Sequence, residues 1–276
     1  MDILSRILAW AGTEDSVRII LMVGSRAQQN VDEFSDFDLS IFGNDLDFIY
    51  DDKWLESIFT PLICIHDQFN WDNQVIPTRL TIFSDMTKVD FSFHPLSLLK
   101  EMIINKELRN TYGNGYMIML DKDGIGQQIP KPGFHAYETD KPEEIKFQLA
   151  ISEFWFEAYH VAKYLSRGDL WAAKSRDWAT KSWLLTMITW HSIISAGHPL
   201  QIKSEGREME RWLTPNIYEE LNNCFAGFPL QEQWLGLLST TKLFSMLTRK
   251  VAENSYFKYD NRVETKISTF ISQLNP

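Results

Sequence analysis

The chain has 276 residues, 44% hydrophobic and 23% charged, a composition that excludes a disordered protein and suits one large domain or two smaller ones. Its formal net charge of -10 disfavours a nucleic-acid partner, whose phosphates must be neutralised by Lys and Arg; the acidity either attracts a cationic small substrate or only keeps the chain soluble. Two distant cysteines, Cys64 and Cys224, form no Cys-x-x-Cys pair, so neither a disulfide framework nor a structural zinc site is expected.

The first dozen residues are a short amphipathic stretch containing Asp2 and Arg6, without the apolar run of a signal peptide. No segment approaches the roughly 18 apolar residues of a membrane span. A cytoplasmic protein without membrane partners is the expectation.

From Ser16 to Leu96 the pattern is that of strands. VRIILMV (Val17–Val23) is an apolar run ending at Gly24. Residues 37–42, 80–83 and 89–93 alternate apolar and polar, 61–65 is a further candidate strand, and a helix is predicted near 53–59. Residues 122–142 are rich in Gly, Pro and Asp (DKDGIGQQIPKPGF, then ETDKPEE) and read as a hinge.

Beyond the hinge the pattern turns helical. Asp140, Pro142, Glu143 and Glu144 make a helix start, and Gly168 ends that helix after Arg167. Asp169 is placed to cap a second helix reaching Ala196, stopped by Gly197 and Pro199. Further helices are predicted over Pro215–Cys224, 231–253 and 263–274. The fold class is therefore α+β: an N-terminal mixed-sheet domain, residues 1–135, followed by a C-terminal helical bundle, residues 136–276.

The stretch that carries chemistry is VGSRAQQNVDEFSDFDLSIF, residues 23–42. A strand ends at Gly24-Ser25, where a glycine lets backbone approach a phosphate and the Ser25 hydroxyl and nearby N–H groups can hold its oxygens. Arg26 adds positive charge. Asp36 follows Gly24 by twelve residues, then Asp38. On a strand the two project to one side, with Ser40 continuing their row and Phe37, Leu39 and Ile41 facing the core. Adjacent carboxylates repel unless a cation lies between them, and hard oxygen ligands suit Mg²⁺. In KVDFSFHP, Asp90 lies on the polar side of another strand. If the two strands are neighbours, three carboxylates meet at one point, a geometry that serves in-line attack on phosphorus.

This ordered set resembles the polymerase-beta-like nucleotidyltransferase superfamily. More narrowly, GSR with DEFSDFDLSIF, DDKWL, KVDFSFHPL, LDKDG, SEFW, TMITWH and the Tyr259-Asp260 pair resemble, in order, the aminoglycoside 6-adenylyltransferase family of streptomycin-modifying enzymes. The resemblance implies a polymerase-beta-like domain followed by a helical domain, with substrate between them. It implies Mg²⁺-dependent transfer of AMP from ATP to an aminoglycoside hydroxyl, conferring antibiotic resistance. It also implies that Ser25 binds phosphate, Asp36 and Asp38 hold Mg²⁺, and Asp90 is the third acidic position. Asp90 is the chosen base and Glu153, in the SEFW segment, its rival. Two departures bear on the antibiotic: Ala27 and Gln28 follow GSR where relatives carry Thr and Asn, and a Gly-Lys pair is here Gly206-Arg207.

Glu153 and Glu157 fall on one helix face beside Trp155 and Phe156. They either bind amino or guanidinium groups of an antibiotic, with aromatic cation–π support, or form a solvated acidic face over buried Trp155 and Phe156. Lys181 and Arg207 are cations able to reach a triphosphate, or surface residues. Trp171, Trp178, Trp183 and Trp190 read mainly as core, and His94 as structural. His66, His160 and His191 are too scattered to argue from. The rival functions are the same chemistry on a lincosamide, another metabolite or a protein hydroxyl, and a nucleotide-binding protein without turnover. An Asp-x-Asp glycosyltransferase is disfavoured by the early Gly-Ser strand end.

Overall fold

A computed structural model describes residues 2–27, 32–71, 74–132, 142–197, 200, 202 and 204–275. Gln28, Asp140 and Pro199 lie outside the described residues. The chain divides into two compact units, Met1–Ala136 and Tyr137–Pro276.

The first unit opens with α1 (Ile3–Thr13), whose first turn is capped by Asp2 accepting from the Ser5 amide at 2.9 Å. Strand β1 (Val17–Val23) runs straight into the short turn α2 (Gly24–Ala27). There follow β2 (Phe37–Gly43), α3 (Lys53–Ile58), β3 (Pro61–Trp71), β4 (Gln74–Phe83) and β5 (Lys88–Pro95). The unit closes with α4 (Leu96–Asn105), α5 (Asn110–Gly113) and β6 (Met117–Asp121).

The six strands form one mixed sheet in the order β3-β4-β5-β2-β1-β6. The β2–β5 pair is parallel and every other pair antiparallel. Strand alternation gives the sheet two covered faces. Leu39, Ile41, Phe91 and Phe93 pack with Ile3, Ile7 and Ala11 of α1 and Trp54, Leu55 and Ile58 of α3. Ile19, Leu21, Val23 and Phe42 pack on the other side with Leu96, Leu99 and Met102 of α4.

The second unit is helical: α6 (Glu144–Arg167), α7 (Leu170–Ala196), α8 (Pro215–Cys224), α9 (Leu230–Ser255) and α10 (Arg262–Leu274). Gly168 and Gly197 end α6 and α7 in the left-handed conformation, at φ 77° and 68°. Asp169 occupies the N-cap position of α7, but its side chain makes no capping hydrogen bond. The core joins α6, α7 and α9, with Phe154 stacked on Phe244 at 3.5 Å between ring centroids and Trp155 and Trp234 buried beside them. Among the described residues no helix is long and apolar enough to cross a membrane.

Candidate active site

The end of β1 builds the first wall. Gly24 takes φ 71°, and a Cβ there would overlap the Asp38 carboxylate. Only glycine meets both conditions, so the turn that presents Ser25 is pressed directly against Asp38. Val23 is registered opposite Asp38 on β2, and Asp38 opposite Asp90 on β5. The two carboxylates therefore stand side by side on parallel strands.

Asp36 arrives differently from the sequence expectation. It precedes β2 rather than lying in it, so strand alternation does not aim its side chain. Arg26 positions it instead: its Nε donates to the Ser35 carbonyl at 3.0 Å and the Asp36 carbonyl at 3.1 Å, and its guanidinium lies 3.9 Å over the Phe37 ring. The charge assigned to Arg26 from sequence thus serves to hold the backbone that carries Asp36.

A residue the sequence reading missed joins the acids. Lys88 Nζ donates to Asp36 Oδ2 at 2.7 Å and Asp90 Oδ2 at 2.8 Å. Burial opposes the Lys88 charge, but the bonds to the two carboxylates outweigh it and the ammonium is held above its ordinary pKa. The ammonium supplies the positive charge that two converging carboxylates need. The signal was present in sequence: Lys88 and Asp90 are two apart on one strand and share its polar side.

Three observations bear on whether a divalent cation fits. Asp90 Oδ1 is buried and has no hydrogen-bond partner among the described residues. The Gly24 turn leaves Asp38 flush against the Gly24-Ser25 backbone. The donor set is all carboxylate oxygen, the chemistry Mg²⁺ prefers. The residues fit such an ion, although Lys88 stands between Asp36 and Asp90 and the three acids are not drawn to within 4.8 Å of one another.

Below the acids the polar row continues inward. Ser40 and Ser92 hydroxyls lie 3.2 Å apart, and Ser92 lies 2.9 Å from His94 Nε2. His94 is fully buried, stacked on Phe42 and edge-on to Trp71. Burial, with Arg109 adding to it, pushes its pKa down to about 3, so the ring is neutral and structural, as its position before Pro95 suggested.

The remaining sequence candidates lie in the helical unit. Glu153 is half-buried on α6. Trp155 is fully buried, edge-on to Phe154 and Phe244, and the expectation that it offers a ligand an aromatic face is corrected: its faces belong to the core. Glu157 is also buried, accepting from Arg176 of α7 at 2.9 Å, so it is neither a solvated acid nor an open cation site. Phe156, buried in one of the two readings, is 55% exposed. Lys181 is no surface lysine; it is buried and donates to Asp177 at 2.7 Å and Thr240 at 2.9 Å. Arg207 is exposed, in the turn where Glu205, Gly206 and Glu208 all take positive φ.

Residues 1–274 match the family model described as streptomycin adenylyltransferase. The chain belongs to that family. It is therefore an adenylyltransferase, an enzyme of nucleotidyl transfer. Among curated relatives of the family, the aminoglycoside 6-adenylyltransferase of Bacillus subtilis (strain 168) is 27% identical over 263 residues, covering 91% of this chain and 89% of its own. The enzyme of the same name from Campylobacter jejuni is 27% identical over 275 residues, covering 96% and 92%. A crystal structure of an aminoglycoside 6-adenyltransferase from Bacillus subtilis aligns with 99% of this chain and 97% of its own at 21% identity, with a TM-score of 0.48.

Proposed function

We propose that this family member transfers AMP from ATP to a hydroxyl of a cationic aminoglycoside, streptomycin being the acceptor its family description favours, and so confers antibiotic resistance in the cytoplasm. The observation that carries the reading is the register of Asp38 beside Asp90 with the Gly24-Ser25 turn packed on Asp38.

In this reading residues 1–135 bind the nucleotide and residues 136–276 the acceptor. The Ser25 hydroxyl and the N–H groups of its turn hold phosphate oxygens. Asp36 and Asp38, with Asp90 as third acid, would hold Mg²⁺, which when bound neutralises phosphate charge and steadies the leaving pyrophosphate. Arg26 keeps Asp36 in place. A carboxylate accepts the proton of the acceptor hydroxyl, whose oxygen then forms a bond to the α-phosphorus as the bond to the bridging oxygen breaks. Asp90 is our choice of base, as the third acid of the motif registered beside Asp38. Glu153 is the rival.

Incubation with ATP, Mg²⁺ and a panel of aminoglycosides, lincosamides and neutral metabolites, followed by mass measurement, tests the proposal. The expected product is streptomycin heavier by one adenylyl group. Modification of a neutral acceptor alone, or ATP binding without any product, would overturn it.

A further inference from the structure

A second group of metal-ligating side chains lies away from the carboxylate centre. Strand β3 places Cys64 and His66 two residues apart on one face, registered opposite Thr81 and Arg79. Those residues lead through Val89 and Phe91 to Phe37 and Leu39, the face covered by α1 and α3. Asp38 and Asp90 occupy the opposite face. Asp52, just before α3, reaches over β3 so that its Oδ2 lies 2.6 Å from His66 Nε2. One ligand atom from each of Asp52, Cys64 and His66 falls within 4.8 Å of the other two, which no other such trio among the described residues achieves.

We propose that Asp52, Cys64 and His66 form a binding site for a thiophilic divalent transition-metal ion, with Zn²⁺ the best match. A sulfur, a ring nitrogen and a carboxylate oxygen form a donor set that zinc accepts and magnesium does not. Three protein ligands leave a fourth position for water. The surroundings orient the donors, as second-layer contacts do in metal sites. Arg79 Nε donates to Asp52 Oδ1 at 3.3 Å, leaving Oδ2 to face the trio. Arg79 is itself buried and donates to the carbonyls of Thr78 and Ile49. Thr81 Oγ1 donates to Cys64 Sγ at 3.8 Å, a contact that suits a thiolate. The carboxylate and thiolate carry two negative charges, which match the two positive charges of the ion, and the Arg79 guanidinium adds one further positive charge beside Asp52.

The site is open to solvent, with the His66 side chain 53% and that of Asp52 37% exposed. On binding, Cys64 gives its proton to solvent and the Asp52–His66 contact is exchanged for bonds to the metal. The ion then ties the start of α3 to β3, the strand at the edge of the sheet. Spacing alone hides this site, because Asp52 comes from a different element than Cys64 and His66.

Titration of the intact chain with Co²⁺ tests the proposal without any reading of activity. One equivalent should produce a thiolate-to-cobalt absorption band in the near ultraviolet, bleached by Zn²⁺ and unaffected by excess Mg²⁺. The carboxylate centre has no sulfur and cannot give this band, so it does not confuse the result. Cys64→Ser should abolish the band, and His66→Ala should weaken binding at least about tenfold. A companion measurement needs no variant: Zn²⁺ should slow alkylation of Cys64 in the native chain by about tenfold or more, since only free thiolate reacts. Cys224 is fully buried and serves as the blank, the two being resolved by peptide mass. No band, a band that survives Cys64→Ser, or unprotected Cys64 at saturating Zn²⁺ would overturn the site.

Discussion

At Gly24 two constraints coincide, a left-handed φ of 71° and an Asp38 carboxylate where a Cβ would stand. The Gly24→Ala variant should lose about 1–2 kcal/mol to backbone strain alone, and more from displacing Asp38. We expect AMP transfer to fall at least about a hundredfold, roughly 3 kcal/mol of barrier, checked by initial rates beside a urea unfolding curve. His94 makes a second residue-scale prediction. Its folded pKa is about 3 because burial excludes the imidazolium, against an ordinary value of 6.5. Between those values the unfolded chain binds a proton that the folded chain does not, so stability falls as pH falls. From pH 6.5 to 5 the loss from this group is about 2 kcal/mol. Urea midpoints at pH 7 and pH 5 should therefore differ less in His94→Gln than in the wild type.

At the scale of elements, what was legible follows from how strongly each segment was patterned. The apolar run of β1, the alternation in β2 and β5, and the glycine stops after α6 and α7 are local signals, and each marks its element in the structure. The extent of β3 and β4 was not legible, because β3 is an exposed edge strand without a buried row to alternate against. Strand β6 and helix α4 were missed although turn residues flank them: β6 is five residues without apolar–polar alternation, and α4 follows β5 directly at Pro95 with no loop to separate them. In the site, strand alternation put Asp38 and Asp90 on polar faces, and their pairing followed only once β2 and β5 proved to be neighbours. Asp36 could not, since a guanidinium clamp aims it. Nor could the sequence show which tryptophans of α7 face inward, because that helix carries apolar residues around its whole circumference. Trp171 and Trp178 prove exposed, at 82% and 67%. Packing predicts the consequence. Phe244→Ala should cost about 3–5 kcal/mol, since it removes the partner stacked on Phe154. Trp171→Ala should stay within about 0.5 kcal/mol. Denaturant midpoints of the two variants check the contrast, and equal losses would contradict the placement of the core.

For the whole molecule, the net charge of -10 sets the long-range field that the proposed cationic acceptor would meet. The KM for an aminoglycoside should rise several-fold between about 20 and 200 mM salt as screening shortens that field, with kcat changing less. A KM independent of salt would remove the electrostatic part of the account. The central claim is narrower: Asp38, held between the Gly24 turn and Asp90, carries nucleotidyl transfer. Its most direct test is the AMP-transfer turnover of Asp38→Asn, measured alongside its circular dichroism and unfolding midpoint. The account predicts a folded protein whose turnover falls on the order of a thousandfold, about 4 kcal/mol of barrier. A folded Asp38→Asn protein that transfers AMP at the wild-type rate would contradict it.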